Sequence, residues 1–275
     1  MKTYTEKYDS VWALGQHVES DTDYMSRSCH DSASDSMACN MSPAEALKRA
    51  RDGGRYPEGA KDIKPLEIDA SALNISDLAV KQPVLDRVGY RVSVPHLLRG
   101  QPKNMYRQLP QPMPNRLIKI GVHVGKPFTM EQSETLNRGN AILSVCDALE
   151  QLGLEIELWA IWRNAEDQSC VSIETLIKKP DERYDPESIA FSICNDAMQR
   201  RLCWRAGEMA TAHNKHAREV MHGGYGSDRG VSYADFDLSY PRPSERRYWG
   251  TKKNALEHVL EITKEQLKEL RERAA

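Results

Sequence analysis

The chain reads as an α/β protein built around a mostly parallel sheet, preceded by an irregular amino-terminal extension. Two observations carry this reading. Residues 116–162 run apolar strand, glycine-bearing loop, amphipathic helix and second apolar strand with almost nothing between, which is a βαβ unit. Residues 1–115 hold many prolines and few periodic apolar runs, so they are assigned as an extension, and 116–275 as the α/β domain.

Within the extension, residues 19–40 are rich in Ser, Asp, Met and His and are expected to form a loop or mobile segment, with 1–35 lacking the periodicity to join a core. A helix over 42–53 follows. Ser42-Pro43-Ala44-Glu45 supplies a hydroxyl cap, a proline at the first helical position and a glutamate placed to return a bond, and Gly53-Gly54 stops it. Residues 55–115 are expected to wrap the domain, a sheet edge being the surface to cover, with one periodic run from Val88 to Leu98.

From Leu117 the period becomes two. Ile118, Ile120, Val122 and Val124 share one strand face, and Lys119, Gly121 and His123 the other. Ala141, Ile142, Val145, Leu149 and Leu152 then recur at helical spacing, predicting a crossover helix over 138–152 that stops at Gly153. Ile156 to Trp162 is a second strand, parallel to the first, and Cys170 to Lys178 a third. Asp185-Pro186-Glu187 opens a short helix. A long helix is expected over 196–221, with Met198, Leu202, Ala206 and Met209 buried, Arg200, Arg201 and Arg205 exposed, and Gly223-Gly224-Tyr225-Gly226 at its end. Val231 to Tyr240 alternates as a last strand, and Thr251 starts a terminal helix striped by Leu256, Val259, Leu260, Leu267 and Leu270.

Composition narrows the function classes. The 38 basic and 40 acidic residues give a formal charge of −2, which offers no reason to expect a dedicated nucleic-acid or membrane-surface binder. The cysteines at 29, 39, 146, 170, 194 and 203 form no C-x-x-C pair, so a reducing compartment is expected, without a disulfide frame or zinc ribbon. No apolar run approaches the roughly 18 residues that span a bilayer, and the polar stretch Met1 to Ser10 is not signal-like. A soluble intracellular chain is the expectation.

The chemistry of an open α/β sheet collects at its strand ends. Four residues there are candidates for a ligand site: His123 and Lys126 in the loop after the first strand, and Arg138 and Asn140 at the expected helix start. Free helix N–H groups and an arginine favour an anionic or carbonyl group; alternatively, Arg138 ties down the 125–136 loop while Gly139 lets the helix approach the sheet. His213, His216 and His222 share a helix without the H-E-x-x-H pattern, so no metal is assigned. Arg200, Arg201, Arg205 and Trp204 could stack and grip a single strand, but their spacing fits a solvated helix face better. Neither a G-x-S-x-G elbow nor a phosphate loop occurs, so no catalytic residue and no cofactor is assigned.

Several motifs in order resemble an uncharacterised family of tailed-bacteriophage proteins with a von Willebrand A-like core. They are Ser42-Pro43-Ala44-Glu45-Ala46-Leu47, the run Val94 to Met105, Asn137-Arg138-Gly139-Asn140-Ala141, Leu149-Glu150-Gln151-Leu152-Gly153, and Met198-Gln199-Arg200-Arg201-Leu202. The resemblance implies a three-layer Rossmann-like fold, phage origin and location in the host cytoplasm. Adhesive von Willebrand A domains hold a cation with Asp-x-Ser-x-Ser after the first strand, whereas Gly125-Lys126-Pro127-Phe128-Thr129 has no carboxylate and one lysine, so no metal is expected there. The function expected is therefore a noncatalytic scaffold for a phage or host protein, with an AAA+ ATPase as the specific suggestion. An enzyme or nucleotide binder using His123, Lys126 and Arg138 is the alternative, and nucleic-acid binding the third.

Overall fold

The computed structural model describes residues 2–21, 38–68, 73, 80–89, 91–111, 117–127, 129–166, 168–222, 235–243 and 246–274. The 22–37 part of the Ser/Asp/Met-rich run, Phe128, the glycines at 223–226 and the first part of the 231–240 strand lie outside them.

Strand β1 (Lys2–Tyr8) and helix α1 (Val11–Glu19) come first. They correct the expectation that residues 1–35 stay out of the core. β1 pairs parallel along its whole length with a later strand of the main sheet, and Val11, Leu14 and Val18 of α1 are buried. A seven-residue edge strand with only alternate residues half-buried gives no apolar run to read, which is why composition missed it. Helix α2 (Pro43–Arg51) forms as its caps dictate: Ser42 Oγ accepts from Glu45 N at 3.2 Å, and Gly53 and Gly54 take φ of 72° and 86° beyond its end. Glu45 turns its carboxylate to Arg49, at 3.2 Å.

Helix α3 (Pro57–Ala60) and the chain to 68 run along a later helix, as a wrapping segment should. The rest of the expected wrap differs, because β2 (Val80–Asp86), β3 (Arg91–Val92) and β4 (Met105–Gln111) make their own antiparallel sheet in the order β2-β4-β3. Helix α4 (Val94–Leu98) sits between β3 and β4 and buries none of its residues.

The βαβ unit is then built from β5 (Leu117–His123), α5 (Gln132–Gln151) and β6 (Glu155–Glu166), with β5 and β6 parallel. α5 starts at Gln132 rather than 138. Its capping box uses Glu131 and Glu134, with Glu131 N donating to the Glu134 carboxylate at 2.7 Å, and a glutamate in place of Ser or Thr hides that signal.

Strand β7 (Ser169–Lys178) returns antiparallel to β6, and helix α6 (Pro186–Ser192) is capped by Asp185, which accepts from Glu187 N at 3.1 Å. The long helix expected over 196–221 is three pieces: a π-helical stretch at Met198–Cys203, α7 (Trp204–Ala210) and α8 (Lys215–His222). Asn214 causes the second break by accepting from His216 N and Ala217 N. The wider π turn rotates the faces, so Arg201 and Arg205 are fully buried instead of exposed, and Met209 is only half-buried. Arg201 Nε donates to the Met41 carbonyl at 3.2 Å, and Arg205 pairs with Asp21 and Glu208. Strand β8 (Leu238–Tyr240) and helix α9 (Lys252–Ala274) complete the chain, the latter capped by Thr251 Oγ1.

The main sheet is ordered β1-β7-β6-β5-β8. Every pairing is parallel except β6 with β7, so the fold is α/β with a mostly parallel five-stranded sheet. One apolar cluster joins α5 and α9 to Ile118, Ile120, Ile156 and Leu158, and another joins α1, α2 and α7 to Ala160, Trp162 and Ile173. Directly opposed residues on neighbouring strands face the same way. The pairs Val122 with Ala160 and Trp162 with Ile173 therefore put both clusters on one face. Among the described residues the second helical layer of a three-layer fold is not found. The other face carries Phe236 over Gly121 and a buried polar set, where Arg163 meets Glu174 at 3.1 Å and Ser172 at 3.0 Å.

Candidate functional site

The expected site residues part into two groups. His123 is 1 % exposed, with Gly125 N donating to its Nδ1 at 3.0 Å and Arg163 N directed at its Nε2 at 3.2 Å. Whichever ring nitrogen accepts, it faces main chain. Arg138 lies inside α5 rather than at its free end. It donates to the carbonyls of His123, Tyr240 and Pro241, each at 3.0 Å, and its guanidinium lies 5.9 Å from the Trp249 ring centre. It thus clasps the ends of β5 and β8. Asn140 accepts from Lys64 N at 2.6 Å and donates to the Asp62 carbonyl at 3.1 Å, pinning the wrapping segment to α5. The cavities beside Arg138 and His123 hold only about 50 and 30 Å³, space for water and not for a substrate.

Lys126 is different. Its ammonium lies 2.5 Å from Asp196 at the wall of a cavity of about 600 Å³. Four pieces of chain meet there: the loop after β5, the start of α5, the turn after α6, and the 39–62 region. Burial raises the Asp196 carboxyl above the usual aspartate range, and the attraction of Lys126 offsets this only in part. Cys39 Sγ donates to Gln132 Oε1 at 2.7 Å, and burial pushes its thiol up to about 12. Cys39 and Asn40 are consecutive non-glycine residues at φ of 55° and 59°, a conformation that costs energy and collects at functional sites. Asn195 is 3 % exposed; its Oδ1 accepts from Ala197 N at 2.8 Å, while its Nδ2 is buried and finds no hydrogen-bond partner among the described residues.

Of the four residues singled out by sequence, the cavity contains Lys126 alone. Asn195, Asp196 and Cys39 were missed. A polar Asn-Asp pair between the apolar runs Ile189 to Ile193 and Ala197 to Met198 was the signal available, since such a pair marks a turn held in a buried setting.

Other clusters do less. Ser169 Oγ donates to Glu219 at 2.7 Å and lies 3.2 Å from His216 Nδ1, but that same nitrogen also faces Glu219, at 3.3 Å. A proton relay needs the two ring nitrogens to serve different partners, so this is not a catalytic triad. His213 Nε2 lies 2.8 Å from the Tyr4 hydroxyl and 3.6 Å from Glu6. Trp204 packs edge-on against Trp162 at 5.4 Å and donates to Glu208, so it offers no open stacking platform. Among the described residues, no group of three or more His, Cys, Asp or Glu could hold a metal ion, and no helix is long and apolar enough to cross a membrane.

The fold and site define an α/β protein with a mixed-charge cavity beside the loop that follows β5. The chain belongs to the family described as Domain of unknown function (DUF7192), whose model matches residues 1–262. No curated protein and no solved structure matches it.

Proposed function

We propose that this chain is a noncatalytic α/β scaffold that binds another protein. One observation carries the reading: the segment around α4 exposes Val88, Val92, Val94, Leu97 and Leu98, at 72, 43, 59, 51 and 81 %. Single exposed apolar residues are ordinary, but five exposed within eleven positions concentrate apolar surface in one short segment, and concentrated apolar surface is what marks a protein contact. The short helix is held firmly enough to present them. Ser93 N donates to the Asn104 carbonyl at 2.7 Å, and Ser93 Oγ lies 2.7 Å from His96 Nδ1. The commitment of His123 and Arg138 to main-chain groups also favours a scaffold over an enzyme built on those two residues.

A tailed-phage origin, the host cytoplasm and a partner ATPase of the AAA+ kind belong to the same proposal and rest on the sequence resemblance alone. The test is affinity purification from infected cells with the natural chain and a Leu97→Asp/Leu98→Asp variant. A partner held by the first and lost by the second, at unchanged melting temperature, is the expected result. A partner held equally by both removes the α4 patch from the interface.

A further inference from the structure

The exposed apolar residues around α4 share their segment with a concentration of positive charge. Between positions 86 and 107 the sequence holds Arg87, Arg91, Arg99, Lys103 and Arg107 against the single acid Asp86, a local charge of +4 in a chain whose total is −2. Arg87, Arg91, Arg99 and Lys103 are exposed. Asp86 is half-buried, and its Oδ1 accepts from Arg87 N at 2.7 Å. Among the described residues, Trp12 is the one large apolar side chain exposed outside this segment. Apolar and cationic surface are therefore concentrated in the same short stretch of chain.

The stretch is built to present both. Val94, Leu97 and Leu98 stand at i, i+3 and i+4, on one face of α4. Gly100, at a φ of 66°, stops the helix: Gly100 N donates to the Leu97 carbonyl at 2.9 Å, and Gln101 N to that of His96 at 3.0 Å. This paired stop fixes the main chain at Arg99, and β3 fixes it at Arg91 by pairing with Tyr106 of β4. Surface already held in place loses little conformational freedom when a partner covers it.

The chemistry of the exposed side chains selects among partners that carry negative charge. Membrane-interface segments place Trp and Tyr at the head-group level, and single-stranded nucleic acid is bound by stacking bases on aromatic rings. The exposed apolar residues here are all valine and leucine. Aliphatic side chains among cations suit a protein surface that sets apolar side chains among carboxylates. Resting on the reading of this segment as a protein contact, we infer that its partner presents an acidic amphipathic segment, with apolar side chains to cover Val94, Leu97 and Leu98 and carboxylates to meet Arg87, Arg91, Arg99 and Lys103. Exposed charge pairs of this kind contribute selectivity more than affinity, and salt screens them.

Fluorescence anisotropy with the full chain tests this. The probe is a labelled peptide of about eighteen residues, long enough for a helix, with leucine on one face and glutamate elsewhere. Comparators are the same peptide with lysine for glutamate, polyglutamate of equal length, phosphatidylserine vesicles and a single-stranded oligonucleotide. The acidic amphipathic peptide should bind at least tenfold more tightly than either comparator peptide, and severalfold more weakly when salt is raised from about 50 to about 300 mM. Arg87→Glu/Arg91→Glu/Lys103→Glu alters three exposed positions and should weaken its binding at least tenfold at unchanged melting temperature, as should Leu97→Asp/Leu98→Asp. The inference is overturned if the acidic peptide does not bind, if the lysine peptide or polyglutamate binds as well, if vesicles or the oligonucleotide bind more tightly, or if the charge-reversed variant binds it unchanged. Equal binding of the acidic and lysine peptides, both lost in Leu97→Asp/Leu98→Asp, would overturn the charge selection and leave α4 a protein contact. Vesicle binding lost in that variant would remove the protein-contact reading itself.

Discussion

Arg138 Nη1 donates to the main-chain carbonyl of His123 at 3.0 Å, and this one contact turns a residue that sequence offers as a ligand group into a clasp between strands. The same guanidinium reaches the carbonyls of Tyr240 and Pro241, so β5 and β8 are joined beyond the last rung of their ladder. Arg138→Ala would leave three carbonyls without their charged donor, at a cost on the order of 3 kcal/mol or more. Denaturant unfolding measures it. Partner binding should fall only in proportion to folded protein; loss of binding at unchanged stability would make Arg138 a contact residue.

Gly139, beside it, permits a close approach of a different kind from the one expected. A Cβ there would lie 2.1 Å from Cys194 Sγ, so the glycine admits the turn after α6 rather than the sheet. Gly139→Ala should destabilise by about 1–3 kcal/mol through overpacking. Combining it with Cys194→Ala should recover part of that loss, and a strictly additive pair would show that the sulfur is not the obstacle.

The Cys39 thiol, pushed up to about 12, faces the cavity without being a nucleophile. At pH 8 only about one molecule in ten thousand carries a thiolate, against roughly a quarter for an ordinary cysteine. Peptide mapping after iodoacetamide treatment at pH 8 should find Cys39 modified at least a hundredfold more slowly than free cysteine. Rapid modification would mean that its burial is relieved in solution.

Asp196 gives the pair with Lys126 a pH signature. Unfolded, its carboxyl ionises near the ordinary value of about 3.9; folded, burial holds the pKa higher. Between those two values the folded state keeps a proton that the unfolded chain has lost, so stability falls as pH rises through that window. Asp196→Asn removes the titration. Its unfolding free energy should vary less with pH just above 4 than that of the natural chain, whatever constant offset comes from leaving Lys126 unpaired, and identical slopes would contradict the raised pKa.

What sequence made legible is what local physics decides. The β5-α5-β6 unit, the caps at Ser42, Asp185 and Thr251, and the stripe of α9 all follow from periodicity and side-chain reach, and all are present. What it hid depends on the neighbours that a residue acquires. Arg201 and Arg205 read as solvated because a helical wheel assumes one helix type, and the π turn at Met198–Cys203 breaks that assumption. Lys126 could be picked out by charge and position, but its partner Asp196 comes from a turn seventy residues later, and no local pattern connects the two.

The amino terminus is the sharpest case, because composition marks it as dispensable and the fold does not. β1 closes one edge of the main sheet, and Leu14 and Val18 of α1 are wholly buried against α2 and α7. Each such side chain contributes about 1.5–3 kcal/mol by burial, so a chain without residues 2–20 should lose about 5 kcal/mol or more and leave β7 with an unpaired edge. Such a chain should unfold at much lower denaturant or aggregate on expression. Leu14→Ala is the milder check, expected to cost about 2–5 kcal/mol. A truncated chain with the midpoint of the full one would mean that the first strand and helix only decorate a core that stands without them.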